Sequence, residues 1–376
     1  MEFRDLKRQY EFNKERIDQA IADVLHSTQF IHGSQVGALE EQLAEYVGAR
    51  HCVTCANGTD ALQLALMVWG IGEGDAVFVP DFTFFSSAEV VAAVGATPIF
   101  VDVDENTFNM DSGRLLHCIE SILKEGRYAP RAIVAVDLFG QAADYAEIRK
   151  IADRFGLFIL EDAAQGFGGS IGTKKNCTFG DISTTSFFPA KPLGCYGDGG
   201  AIFTDRDDWA LLLRSLTLHG KGKYKYDNVR IGMNSRLDTI QAAILLAKLP
   251  VFIHRELEES NKLAEFYTKQ LEGTVKVPDI KEGFYSSWAQ YTIQLKAGQD
   301  RQKLQEYLKA QGIPTAVYYP KPMHRQTAFL GNDCVEEEYP VTNRICESVL
   351  SLPFHSYMKR EEAEMVVDKV VGYLKG

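Results

Sequence analysis

The chain has 376 residues, enough for about two domains, and its 45% hydrophobic and 24% charged residues set intrinsic disorder aside. A net charge of 40 − 51 = −11 excludes the basic face that a grip on nucleic acid requires. No apolar run approaches the roughly 18 residues of a membrane span, and the charged start Met1-Glu2-Phe3-Arg4-Asp5-Leu6-Lys7 has no apolar stretch behind it, so neither a membrane nor a signal peptide is expected.

The first expected element is a helix over Glu11–Leu25, placed on either of the units that follow. From residue 50 to 205, β-rich runs alternate with helical ones. The strands are Cys52–Cys55, Ala76–Val79, Pro98–Val103, Ala132–Asp137, Leu157–Glu161, Ile182–Phe187 and Ala201–Thr204. Most are apolar on both faces, as in a sheet covered by helices. Between the first five lie helical patterns at Asp60–Trp69, Ser86–Val94, Ser112–Lys124 and Asp144–Phe155. This alternation predicts α/β layering around a mostly parallel, seven-stranded sheet. Helices follow at Trp209–Leu218, Leu237–Lys248 and Val251–Leu271. A smaller α/β unit closes the chain, with strands Tyr291–Leu295 and Thr315–Tyr319 and helices Gln302–Ala310 and Glu361–Leu374. The expected division is a large domain over 1–250 and a smaller one over 251–376.

Ligands of open α/β sheets bind at the carboxyl ends of the strands. The first strand ends in Ala56-Asn57-Gly58-Thr59-Asp60 and a helix begins there. The glycine allows close approach, and the amides of a helix N-terminus favour a phosphate; an ordinary capped turn reads the same way. The fifth strand runs into Glu161-Asp162-Ala163-Ala164-Gln165. A buried acid there needs a cationic partner, such as a protonated ring nitrogen, unless Asp162 is only a helix cap. Lys191, in Ser186-Phe187-Phe188-Pro189-Ala190-Lys191-Pro192, sits in a turn stiffened by prolines, where a lysine of lowered pKa can form a Schiff base. Phosphate cup, acid and lysine together fit pyridoxal 5′-phosphate. Gly58, Thr59 and Ser186 would hold its phosphate and Asp162 its ring nitrogen, with an aromatic from Phe82-Thr83-Phe84-Phe85 over the ring.

With these segments, and with Gly232-Met233-Asn234-Ser235-Arg236-Leu237 and Tyr319-Pro320-Lys321-Pro322-Met323-His324, the chain resembles the DegT/StrS sugar aminotransferases of the aspartate-aminotransferase superfamily. The match runs from Phe3-Arg4-Asp5 to Leu352-Pro353-Phe354-His355. The resemblance implies that Lys191 carries the cofactor and Asp162 pairs with its ring nitrogen. It puts Gln165 against the ring or its 3-hydroxyl and Phe84 on the opposite face. Ser186, Gly58 and Thr59 take the phosphate, which Asn234 reaches from the other subunit of a homodimer with shared sites. Arg236, Tyr318, Tyr319 and His324 are implied as substrate contacts. The run from Thr185 to Gly200 and the segment Trp288-Ala289-Gln290-Tyr291-Thr292 are similar to those of the 3-aminotransferases of UDP-2-acetamido-3-keto-hexuluronates. Tyr318 stands where a histidine is common there, which leaves a neutral sugar open beside a uronate. The implied reaction transfers an amino group from glutamate to the C3 ketone, for surface polysaccharide such as the O-antigen of lipopolysaccharide. The alternatives are a dTDP-linked 3-keto- or 4-keto-6-deoxyhexose, or a PLP-dependent dehydratase, against which Lys191 itself argues.

Two further features stand apart. His219-Gly220-Lys221-Gly222-Lys223-Tyr224-Lys225-Tyr226 is a basic, aromatic loop that would suit a nucleotide diphosphate or simply be a solvated loop. Cys52-Val53-Thr54-Cys55 has a metal-like spacing but lies in a strand with no second pair, so no metal is expected. The seven scattered cysteines read as free thiols of a reducing cytoplasm.

Overall fold

All seven strands expected of the large unit form and join one sheet in the computed structural model, which describes residues 1–224, 226–331 and 339–375. They are β1 (His51–Cys55), β2 (Asp75–Pro80), β3 (Thr97–Val101), β4 (Ala129–Val136), β5 (Phe158–Asp162), β8 (Ile182–Ser186) and β9 (Gly200–Thr204). The short β6 (Ser170–Ile171), β7 (Lys174–Lys175) and β10 (Phe284–Tyr285) make a separate three-stranded patch. The large sheet has the order β1-β9-β8-β5-β4-β2-β3. Its pairs are parallel except those of β9, which runs against both β8 and β1.

The apolar runs have a simple cause: each strand feeds a core on both sides. On β2, Val77 and Val79 join one core with Leu62 and Leu66 of the helix Gly58–Val68. Ala76 and Phe78 join another with Leu115 and Ile119 of Ser112–Glu125 and Ile148 of Tyr145–Phe155. Side-chain caps start these helices where the sequence predicts, Asn57, Asp111 and Asp144 each accepting from the amide three residues on.

The C-terminal unit has its own core, with Tyr267, Tyr291, Ile293, Leu304, Leu350 and Val366 among its members. Here the expectation is corrected. The partner of β11 (Tyr291–Gln294) is β12 (Val349–Leu352), paired antiparallel. Thr315–Tyr319 is no strand; Ala316 makes a single bridge to Ser351 before the chain turns toward the cavity described below. The helical run crosses residue 250, Thr239–Val251 passing through a widened turn at Phe252–Glu256 into Leu257–Leu271.

The first helix spans Leu6–Ser27, earlier than expected because Asp5 caps it by accepting from Arg8 N. It touches both units: Arg8 forks onto Glu362 at 2.6 and 2.8 Å and Gln9 donates to Glu256, while the Tyr10 ring lies 6.3 Å from that of Tyr196. A second helix, Ser34–Val47, escapes the sequence reading; its N-cap is Gly33, with no side-chain bond to announce it.

Candidate active site

At the end of β1 the chain turns into the helix Gly58–Val68, and Asn57 Oδ1 accepts from Asp60 N at 2.8 Å. The amides of Gly58 and Thr59 open that helix beside the end of β8. A Cβ on Gly58 would lie 2.7 Å from the Ser186 Cβ, so the approach requires glycine. Thr59 Oγ1 and Ser86 Oγ are 2.7 Å apart. Amides and hydroxyls thus line a cup under the positive end of a helix dipole.

Alternation along β5 sends its two acids to opposite faces. Glu161 turns away and accepts from the amides of Cys177, Phe179 and Gly180 and from Ser183 Oγ, a fully engaged structural carboxylate. Asp162, 5% exposed, faces the cup side and accepts from Ser87 Oγ at 2.8 Å and Ala164 N at 3.1 Å. Burial pushes its pKa up; Ser87, Ala164 and the charge of Lys191 oppose this. Lys191 lies in the excursion from β8 to β9, its amide donating to Phe188 O at 2.8 Å. Burial pushes its ammonium below the usual range, Asp162 works against that and Arg4 adds to it. Gln165 is fixed at both ends, Oε1 accepting from Phe139 N at 2.7 Å and Nε2 donating to Tyr319 Oη at 3.0 Å.

A cavity of about 650 Å³ gathers Gly58, Thr59, Phe84, Asp162, Gln165, Ser186, Lys191, Tyr318 and Tyr319. Three expected residues lie elsewhere. Asn234 is exposed and bridges to Leu218, and Arg236 lines a second cavity of about 890 Å³ with His219, Lys221, Tyr226 and Arg230. Of the basic loop, Lys225 lies outside the described residues. His324 lies outside the 650 Å³ cavity: its side chain is 2% exposed, its Nδ1 stands 2.6 Å from Asp81 Oδ2 and its ring stacks on Tyr339 at 4.4 Å. Cys52 and Cys55 are both buried thiols, held protonated by burial.

Sequence reasoning missed Ser87, Gln290 and Arg4. Ser87 opens the helix Ser86–Ala93 and its hydroxyl faces Asp162 only through the fold. Gln290 lines the cavity, and Arg4 donates to the Lys191 carbonyl at 2.9 Å.

A half-buried amine and a buried carboxylate, with a helix N-terminus opening between hydroxyls nearby, match an aldehyde, a basic ring nitrogen and a phosphate carried on one small molecule. The close approach of Gly58 to Ser186, which a Cβ would prevent, brings the amides of that helix beside the Ser186 hydroxyl. This donor set defines a pyridoxal-phosphate enzyme. The chain belongs to the DegT/DnrJ/EryC1/StrS aminotransferase family, which matches residues 11–371. It is similar to the UDP-2-acetamido-2-deoxy-3-oxo-D-glucuronate aminotransferase of Pseudomonas aeruginosa, 43% identical over 97% of this chain and 98% of that one. It is also similar to the dTDP-3-amino-3,6-dideoxy-alpha-D-galactopyranose transaminase of Aneurinibacillus thermoaerophilus, 36% identical over 99% of each. The crystal structure of a family member from Brucella abortus superposes over the whole of both chains with a TM-score of 0.97 at 47% identity. The protein is therefore a PLP-dependent sugar aminotransferase. Among the described residues no helix is long and apolar enough to cross a membrane.

Proposed function

We propose that the protein moves an amino group from glutamate to the C3 ketone of a UDP-linked 2-acetamido-3-keto sugar, uronate or neutral, for surface polysaccharide. It works as a cytoplasmic homodimer, with residues 1–250 the cofactor-binding unit and 251–376 the smaller one. The observation that carries the reading is the meeting of Lys191, Asp162 and the Gly58–Ser186 cup in one cavity. Two full-length relatives support C3, since one is named for a 3-oxo sugar and the other for a 3-amino sugar.

The bound cofactor supplies an electron sink for the carbanion at the donor's α-carbon. Gly58, Thr59 and Ser186 hold its phosphate, and Asp162 keeps the ring nitrogen protonated. Ser87 and Ala164 hold the Asp162 carboxylate on station. Lys191 Nζ takes the α-proton of the donor and delivers a proton to the sugar carbon that receives nitrogen, as base and then acid. Burial lowers its pKa, which is the direction the first of these roles needs. Gln165, tied to Phe139 N and Tyr319 Oη, lies against the ring or its 3-hydroxyl, and Phe84 covers the other face. Both half-reactions use one cavity, so ping-pong kinetics follow. Asn234 and Arg236 serve the neighbouring subunit's site, Asn234 on the phosphate and Arg236 on an anionic group of donor or sugar. The cations and Tyr226 beside Arg236 suit a nucleotide diphosphate.

A dTDP-linked 3-keto-6-deoxyhexose is the second reading, favoured by the Aneurinibacillus relative. The test is amination of purified UDP- and dTDP-linked 3-keto and 4-keto sugars with glutamate, read by product mass. A UDP-linked 3-keto substrate turned over at least tenfold faster than the rest is expected. A preference for a dTDP sugar, or for a 4-ketone, overturns the proposal.

A further inference from the structure

The segment Phe3-Arg4-Asp5 plays no part in the chemistry above, yet the structure lays it across the back of the Lys191 turn. Arg4 Nη2 donates to the Lys191 carbonyl at 2.9 Å, and Nη1 to the Ala289 carbonyl at 3.3 Å. One planar fork thus ties the cofactor turn to the C-terminal unit. Three residues along the same turn, Lys248, itself 1% exposed, donates from Nζ to the Gly194 carbonyl. Two cations from opposite parts of the chain therefore end on carbonyls of one short turn. The segment that delivers Arg4 is itself pinned: Phe354 N donates to Phe3 O at 3.1 Å, the Phe3 ring lies 6.2 Å from that of Tyr318, and Asp5 caps the first helix.

A carbonyl bonded to a guanidinium cannot swing without breaking a charge-assisted bond, and a fork spanning two carbonyls fixes their relative position as well. We propose that Arg4 is a positioning residue for Lys191, its fork holding the peptide that carries the lysine against the Ala289 carbonyl. The proposal rests on the reading of Lys191 as the cofactor lysine. The charges that act on the Lys191 nitrogen are those of Asp162, which favours the ammonium, and of Arg4, which disfavours it. Arg4 in turn faces Glu256 and Tyr318, and its charge also acts on His355 and Lys248. Lys248 grips the same turn at the Gly194 carbonyl, so its removal loosens the turn while the Arg4 fork stays in place.

The experiment uses the holoenzyme as wild type, Arg4→Gln, Arg4→Lys and Lys248→Met. Three quantities are read: the pH midpoint of the visible absorption of the lysine-bound cofactor, hydrogen exchange of amides 187–197, and kcat and KM with glutamate. Arg4→Gln removes a like charge and should raise the midpoint by about one pH unit. It should also speed exchange in the turn and lower kcat about tenfold with KM little changed. Arg4→Lys keeps the charge but cannot span both carbonyls, so exchange should rise while the midpoint holds. Lys248→Met should speed exchange near Gly194 with the midpoint unmoved. An unshifted midpoint with unchanged exchange in Arg4→Gln overturns the proposal, as does wild-type exchange in Arg4→Lys. A midpoint shift in Lys248→Met equal to that of Arg4→Gln does the same. Borohydride fixation of the wild-type cofactor, followed by peptide mapping, isolates the underlying reading: label on Lys191 upholds it, and label on another lysine overturns it independently of Arg4.

Discussion

Replacing Gly58 with alanine tests the cofactor cup directly. The added Cβ would lie 2.7 Å from the Ser186 Cβ and 3.4 Å from its Cα. Carbon atoms rest about 3.5–4.0 Å apart, so the excess is roughly 1 Å against a backbone-anchored atom. Retreat is blocked, because Gly200 packs under the same turn so tightly that its own Cβ would meet Asn57 O at 2.5 Å. Overpacking of this kind costs about 1–3 kcal/mol. Alanine returns up to about 1 kcal/mol through helix propensity. With the full return, the net loss should be about 0–2 kcal/mol in urea unfolding of the apo-protein. The larger effect falls on the cofactor. Moving the Gly58 and Thr59 amides by about 1 Å forfeits one charge-assisted hydrogen bond, about 1.5–3 kcal/mol, which is about ten- to a hundredfold in Kd. Equilibrium dialysis with PLP measures it. Gly37, in the helix Ser34–Val47 with nothing within 4 Å of its would-be Cβ, is the control. Gly37→Ala should gain about 0.5–1 kcal/mol and leave PLP affinity alone. If Gly58→Ala is as stable as Gly37→Ala and binds PLP equally well, the close-approach argument is wrong.

Three further outcomes follow from the site and its surroundings. Asp162→Asn should retain bound PLP and slow proton transfer at least tenfold, seen as the rate of cofactor bleaching by glutamate in a stopped-flow trace; a near wild-type rate removes the ring-nitrogen role. Lys191→Ala and Arg236→Ala should each be nearly inactive, while co-refolding them in equal amounts should restore about a quarter of wild-type activity if subunits pair at random; mass-verified mixed dimers without activity would deny Arg236 to the neighbour's site. His355 is pushed down to about 4 by burial, with Arg4 adding to it. The unfolded chain therefore binds the proton first, so stability is full above about pH 6.5 and is lost as pH falls toward 4, by about 3 kcal/mol; urea midpoints of His355→Gln that fall as steeply as those of the wild type over this range would contradict it.

The large sheet was legible because most of its strands are short and apolar on both faces, and helices separate the first five. The residues that meet in the cavity were legible for a related reason. Gly58, Asp162 and Lys191 each follow a strand, where a glycine, an acid or a proline-flanked lysine interrupts an apolar pattern. Signals of this kind are local, and what was missed is non-local. Ser87 and Arg4 matter through partners 75 and 187 residues away, at distances no sequence window spans. Val349–Leu352 was overlooked because three apolar residues and a serine beside a proline look like the end of a loop until Tyr291–Gln294 is laid against them. His324 is the opposite case. Its motif lies next to Tyr318 and Tyr319, which do line the cavity, but a tight turn carries the imidazole inward to Asp81.

The antiparallel strand β9 also sets an order of events during synthesis. The edge strand β1 has β9 as its one neighbour in the sheet, and 200 − 55 = 145 positions separate the end of one from the start of the other. A ribosome adding about 5–20 residues per second needs about 7–30 s to bridge that gap. Through this interval β2 to β5 can assemble side by side on the emerging chain, while β1 waits with both edges bare. Gly58 meets Ser186 only once β8 and β9 have slotted in, and the fork of Arg4 closes only after Ala289 has been made. The first five residues are thus held in reserve until the chain is more than three-quarters complete, and the nascent protein has no finished seat for its cofactor before then.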